Sequence, residues 1–279
     1  MHTRPLSADV TAIQDCIEIP GLGVLPVNAF FLNAAQPLLI DSGLPTARGG
    51  FLAAVGEIID PADLRWIWLS HPDRDHTGSL FEILEAAPRA KVITTFLGVG
   101  IMAIESPLPL DRIYLLNPGQ TLDLGDRSLT AFRPPLYDSP VTTGFVDNRT
   151  GTVFSSDCFG APVSSAELAG AADVADLPAG ELADGQRLWA TVDSPWLTGV
   201  DRPAFAHSLE PLRKLDPALI LSSHLPPATG RATEFLDRLT TLPDADPFVG
   251  PDQAALEHML RQLDPQARHD QPVTAGTAT

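Results

Sequence analysis

Residues 65–80, RWIWLSHPDRDHTGSL, constrain the fold of this chain more than any other stretch. The run RWIWL is short, apolar and rich in aromatic and β-branched residues, as in a buried strand. It is followed at once by a loop carrying His71, Asp73, Asp75 and His76, then by TGSLFEILEAA, which has helical spacing. A strand, a tight loop and a helix must therefore follow one another without slack. Open α/β sheets place their sites at the carboxyl ends of strands, which is where this loop falls. His71 and Asp73 can face one way while Asp75 and His76 face a neighbouring position. Four ligand-type side chains on one loop can thus serve two metal ions a few ångströms apart. Taken alone, the same residues also suit a polar loop in which Asp75 or Thr77 only caps the helix.

The remainder of the chain predicts an ordered succession of elements. Strands are expected near 11–19, 24–33 and 36–40, the last ending in LLIDSG, followed by a helix opened at Pro45 or Thr46. KVITT reads as a strand, 96–104 as a helix and RIYLL as a strand. From 118 to 156 the pattern is β again, with DNRTG as a hairpin turn. Residues 160–200 are rich in Ala, Gly and Ser and read as a mobile helical insertion or lid, with a capping box from Ser164 to Glu167. Pro203 to Leu215 reads as one helix with Phe205, Leu209 and Leu212 on its apolar face. ALILSSHLPP is a last buried strand ending at His224, and helices follow near 231–241 and 251–263. The expected organisation is one domain over 1–263 and a disordered polar tail over 264–279.

Composition excludes some functions. The 35 acidic residues against 18 basic ones give a formal charge of -17, which repels nucleic acid and anionic lipid. Cys16 and Cys158 are the only cysteines, too few for a disulfide framework or a four-thiolate centre. Cys158 reads as a small core residue and His207 as an exposed bystander. No run is apolar and long enough to span a membrane, and the first residues lack a signal-peptide core. A cytoplasmic location is expected.

Further stretches follow the loop in order: VNAFFL (27–32), LLIDSGLP (38–45), GQTLDLGDRSLTAF (119–132), VFSSDCFG (153–160) and LILSSHLPP (219–227). Together with the loop they resemble the metallo-β-lactamase superfamily, whose signature is H-x-H-x-D-H after a strand. The resemblance covers roughly residues 10–230. It implies the αββα sandwich, with two mixed sheets packed face to face and helices outside. It implies metal ligands His71, Asp73, Asp75, His76, the bridging Asp157, and His224. The carboxylate at position 73, LYDSP (136–140), FSSDCFG and ATVDSPW (190–196) are similar to the oxygen-binding di-iron, or flavodiiron, branch. One departure stands out. Where that branch places its third histidine, this chain has Pro135. Water could fill the gap, Tyr137 or Asp138 could substitute, or the first position could be weak and the site mononuclear.

The resemblance implies two metal ions, iron first, with zinc or manganese as alternatives. On the di-iron reading the chain binds or reduces oxygen, nitric oxide or peroxide. It has no evident flavin-phosphate loop, so electrons would come from a separate flavoprotein or rubredoxin-like partner. On the hydrolase reading a metal-bound hydroxide, oriented by Asp75, attacks an ester, thioester, lactone or phosphoester substrate. A degenerate metal-binding module is the third reading, and a homodimer is an open expectation.

Overall fold

The computed structural model describes residues 1–263; the expected polar tail over 264–279 lies outside the described residues. The contacts divide the chain after Asp246, inside the span that the sequence suggests as one domain. The second unit starts at Pro247 and contains the helix Gln253–Leu263, at whose start Asp252 accepts a hydrogen bond from the Ala255 amide at 2.9 Å.

The first unit is built on two sheets. The first comprises β1 (His2–Pro5), β2 (Val10–Ile19), β3 (Gly23–Leu32), β4 (Leu38–Ile40), β5 (Trp66–Trp68), β6 (Lys91–Thr94) and β7 (Ile113–Leu115), in that spatial order. It is antiparallel from β1 to β4 and parallel from β4 to β7. The second comprises β8 (Thr121–Asp123), β9 (Ser128–Phe132), β10 (Gly144–Asp147), β11 (Val153–Phe154), β12 (Leu219–Ser222) and β13 (Leu225–Thr229). Its order is β13-β12-β11-β10-β9-β8, and only β11 and β12 run parallel.

Strand periodicity separates three layers of core. Along β3 and β4, Phe30, Leu32, Leu38 and Ile40 face the second sheet, where they meet Leu129, Phe145, Phe154 and Leu221. The alternate residues Ala29, Phe31 and Leu39 face outward onto α1 (Arg48–Ile58) and α3 (Leu80–Ala86) through Phe51, Val55 and Ile83. In the second sheet Val153 and Ile220 likewise face outward, onto helices of the chain's second half. A strand with apolar residues on both faces needs cover on both, and this is the αββα sandwich expected from the sequence.

The helical second half departs from expectation in detail. Residues 160–200 fold into α5 (Ala166–Ala169), α6 (Ala179–Asp193) and short 3-10 turns, burying Val174, Leu177, Leu182 and Leu197 in the core. The predicted capping box is not at Ser164. Ser165 caps α5, while the Ser164 amide donates to Glu181, and the reciprocal box forms at Asp173 and Asp176. The helix expected over 203–215 is broken into α7 (Arg202–Ser208) and α8 (Glu210–Leu215). Pro211 is the cause, because it has no amide hydrogen and crowds the preceding turn. Phe205, Leu209 and Leu212 are still buried together, and His207 is exposed. The last strand turns back as a hairpin the sequence reading missed. Its second arm, β13, carries Pro226 and Pro227 at the sheet edge, where a missing donor is tolerated. α9 (Ala232–Thr241) then packs Phe235, Leu236 and Leu239 onto this layer.

Candidate metal centre

The carboxyl ends of β4, β5, β11 and β12 lie at one rim of the sandwich. Each passes into a loop that places a polar side chain inward. β5 delivers His71 and, over the short helix α2 (Arg74–Thr77), Asp73, Asp75 and His76. β11 delivers Asp157, and the tight turn after β12 delivers His224. Gly78 closes the motif loop. A Cβ there would lie 2.2 Å from the Gly43 carbonyl oxygen and 2.3 Å from the Leu44 carbonyl carbon, so only glycine lets the loops after β4 and β5 pass.

Asp157 is the hub. One of its oxygens, Oδ2, lies 3.3 Å from His71 Nε2, while Oδ1 lies 3.2 Å from His76 Nε2 and 3.3 Å from His224 Nε2. Asp75 Oδ2 lies 3.4 Å from His224 Nε2 and 3.6 Å from His76 Nε2. Asp73 Oδ2 is 3.9 Å from His71 Nε2, on the exposed side of the cluster. All six residues singled out in the sequence are thus brought together. Ligand atoms within 4.8 Å of one another define two main groups. One is Asp75, His76 and His224; the other is His71, Asp73 and Asp138. Asp157 joins His71 and His76 between them.

Of the options raised by Pro135, Asp138 is the one that lies beside the cluster. Its Oδ1 lies 3.7 Å from His71 Nε2, on the side where the third histidine was expected. Tyr137, the other candidate, turns away and packs its ring 4.9 Å from Trp196, with the Arg133 guanidinium stacked on it. Sequence reasoning left Asp138 as one option among several. It missed Asp193 altogether: this residue ends α6 and groups with Asp138 and Asp157. Asp193 carried no separate signal in the sequence, since the buried residues of α6 include the polar Gln186 and Thr191 as well as Leu182 and Ala190.

Backbone and outer groups fix the imidazoles. Asp41, after β4, accepts from the Ser70 amide, the Ser70 hydroxyl and His76 Nδ1, each at 2.8 Å. His224 Nδ1 donates to the Pro26 carbonyl at 2.8 Å, and Trp189 packs against the His224 ring at 4.9 Å. Asn28 in β3 reaches across to the carbonyls of Ser222 and Leu225, pinning the turn that carries His224. With Nδ1 of His76 and His224 occupied, their Nε2 atoms face the centre. Nε2 of His71 and of His76 are buried without a hydrogen-bond partner, and both point at carboxylates. Buried donors or acceptors are rarely left so, and a metal ion is the partner this donor set fits. Asp41 and Ser156 hold φ values of 57° and 51°, so the backbone is strained on both sides of the cluster.

The electrostatics agree with that fit. Burial works against charge on Asp157, yet His71, His76 and His224 outweigh it and hold the carboxyl well below the usual range. Burial likewise disfavours His224 protonation, but Asp157 and Asp75 push the imidazole up to about 9. His76 is raised well above its usual value, where Asp75, Asp157 and Asp41 overcome its burial. Asp193 is raised to about 8 by burial and by Asp157 and Asp138. Without a cation the cluster therefore holds protons in the place of metal.

A family model described as ODP family beta lactamase matches residues 26–178. The rubredoxin-oxygen oxidoreductase of Megalodesulfovibrio gigas is 25% identical over 142 residues, 50% of this chain and 35% of that protein. Diflavin flavoprotein A 1 of Synechocystis sp. is 29% identical over 168 residues, 57% of this chain and 29% of its own length. The solved rubredoxin oxygen:oxidoreductase of Desulfovibrio gigas superposes with a TM-score of 0.75 at 18% identity, covering 88% of this chain and 63% of that one. The chain spans about a third of the length of these curated relatives. It belongs to the ODP beta-lactamase family and has the metallo-β-lactamase-like fold of the flavodiiron proteins.

Proposed function

We propose that this chain holds two metal ions, preferably iron, and acts on oxygen, nitric oxide or peroxide. The observation that carries this reading is the first position, where His71 is accompanied by Asp73, Asp138 and the shared Asp157. That position is dominated by carboxylate oxygen, the donor that suits iron and manganese in higher oxidation states. The second position would be held by Asp75, His76, His224 and the other oxygen of Asp157. Two irons, when bound, supply one-electron chemistry that no side chain here can supply. The protein's part is to hold the donors in register. Asp41 fixes the His76 ring, Pro26 fixes His224, and Asp157 spaces the two positions. Asp75 is a ligand on this reading, not a general base. Electrons would come from a separate flavoprotein or rubredoxin-like partner.

Metal analysis of protein purified from iron-supplemented and zinc-supplemented cells tests the proposal, with optical spectra in air and under anaerobic conditions. Two irons per chain and oxygen-dependent absorption support it. Stoichiometric zinc with esterase activity sinks it and favours the hydrolase reading. Asp138→Ala should lower the metal content from two per chain toward one; two retained ions would remove Asp138 from the ligand set.

A further inference from the structure

The segment that supplies Asp138 has a second face. Pro135 and Tyr137 form one wall of a cavity of about 660 Å³ in the first unit. Its apolar surface comes from Phe132, Tyr137, Trp196, Phe205 and Leu212, and none of the seven ligand-type residues at the two metal positions lines it. This size and lining are those of a small-molecule site, not of a packing defect.

Arg133 gives the cavity its chemistry. Among the described residues it is the only basic one lining it. Its guanidinium lies 4.9 Å from the centre of the Tyr137 ring. Other surface arginines, such as Arg149 and Arg213, pair with carboxylates at 2.6 and 2.7 Å. Among the described residues Arg133 has no carboxylate partner, in a chain of charge -17. A guanidinium held over an aromatic ring at the edge of an apolar cavity matches a carboxylate with an apolar body. A single cation in so negative a protein neutralises one charge and leaves a second repelled, which disfavours dianions such as phosphate esters.

We propose that this cavity binds an amphipathic monocarboxylate, an aryl or medium-chain alkanoic acid. The carboxylate lies on Arg133 and the apolar body against Phe132, Trp196, Phe205 and Leu212. The location gives it a line to the metal centre. Trp196 Nε1 donates to the Tyr137 carbonyl at 2.8 Å, and Tyr137 is followed directly by Asp138. A ligand pressing on the Tyr137–Trp196 pair therefore presses on the peptide that positions Asp138.

Tryptophan fluorescence and calorimetry of the metal-loaded full chain test this, with 2-naphthoate and decanoate as probes and their neutral amides as controls. Saturable binding of the acids is expected, with the amides weaker by about tenfold, the loss of one charge-assisted hydrogen bond. Arg133→Gln should bring the acids down to the amides' affinity with metal content unchanged. Absence of saturation, equal binding of acids and amides, or an unchanged affinity in Arg133→Gln overturns the proposal. So does binding that survives Arg133→Gln but is lost in Asp138→Ala, because the acid then sits on the metals.

Discussion

Asp41→Asn isolates what the residues behind the ligands contribute. Asp41 is buried, and its two oxygens accept three hydrogen bonds at 2.8 Å, from the Ser70 amide, the Ser70 hydroxyl and His76 Nδ1. Asparagine keeps the shape but turns one acceptor into a donor. If the amide nitrogen faces Ser70, it meets a backbone N–H that has no other way to turn. If it faces His76, the imidazole must move its proton to Nε2, the atom aimed at the metal. The first orientation leaves a mismatched buried pair, a loss of about 1–3 kcal/mol; the second keeps the hydrogen bond but puts a proton on the atom aimed at the metal. Changes to groups that orient a ligating histidine weaken metal binding by about 10–100-fold, which is about 1.4–2.8 kcal/mol. Competition against a chelator of known affinity should therefore show one of the two ions weakened by that factor. The ion on His71, Asp73 and Asp138 should be affected less. Chemical denaturation of the metal-free variant should show the stability loss independently. If Asp41→Asn binds both ions as the parent does while folding normally, Asp41 does not control the His76 tautomer and the argument fails.

Three further outcomes are expected. In metal-free protein the raised imidazole of His224 adds stability that is full below about pH 6.5 and lost as pH rises to about 9, a change on the order of 3 kcal/mol. His76, also raised, and Asp193, raised to about 8 and so penalised when it ionises, act in the same direction. Melting temperatures in chelator should thus fall between pH 6.5 and 9 while metal affinity rises, because binding displaces those protons; a metal-free protein that gains stability over that range refutes the assignment. Gly160→Ala would bring a Cβ to 2.6 Å from the Trp189 ring and 2.9 Å from His224 Cβ; about 1–3 kcal/mol lower stability and weaker binding at the His224 position should appear together in denaturation and metal titration. Arg127→Met would strand the buried Asp147, 3.1 Å from the guanidinium, and should destabilise by about 3–5 kcal/mol in urea unfolding, with Arg127→Met/Asp147→Leu recovering part of it.

How much of this was legible in the sequence depended on whether the signal was local. RWIWL followed by His71–His76 specifies strand, loop and helix within sixteen residues, and β5, α2 and α3 follow it closely. Asp157 and His224 were legible through the resemblance of VFSSDCFG and LILSSHLPP to the superfamily's segments, not through alternation, since β11 is a two-residue buried strand and β12 a continuous apolar run. What failed was set by distant partners. The break between α7 and α8 turns on Pro211, which a count of apolar spacing overlooks. The hairpin return of β13 was hidden because two prolines argue against a central strand, and nothing local says that this strand is at an edge. Asp193 belongs to the centre only because the end of α6 is folded over Asp157. Asp138 was legible within LYDSP, but its approach to His71 was not, because the loop sets it.

The departures at 73 and 135 and the placement of Asp138 all bear on the same position, beside His71. A histidine at 135 would give the first position two imidazoles and two carboxylates, Asp73 and Asp157. On the proposed assignment, Pro135 and Asp138 would leave one imidazole and three carboxylates there. Across both positions the carboxylates become four, Asp73, Asp75, Asp138 and Asp157, so two divalent ions are neutralised where three carboxylates would leave a charge of about plus one. Oxidation of a bound pair would add positive charge, which costs less at a neutral site than at one already carrying about plus one. The second position would have two imidazoles, His76 and His224, and two carboxylates, Asp75 and Asp157, a donor set that also accepts zinc. The asymmetry therefore falls on the side facing Asp73, the most exposed of these carboxylates, where a small molecule from solvent would arrive. An isolated proline in place of a histidine would read as decay of the site. Asp138, on the same loop and 3.7 Å from the same imidazole, keeps an acidic side chain beside the position that Pro135 leaves without a histidine.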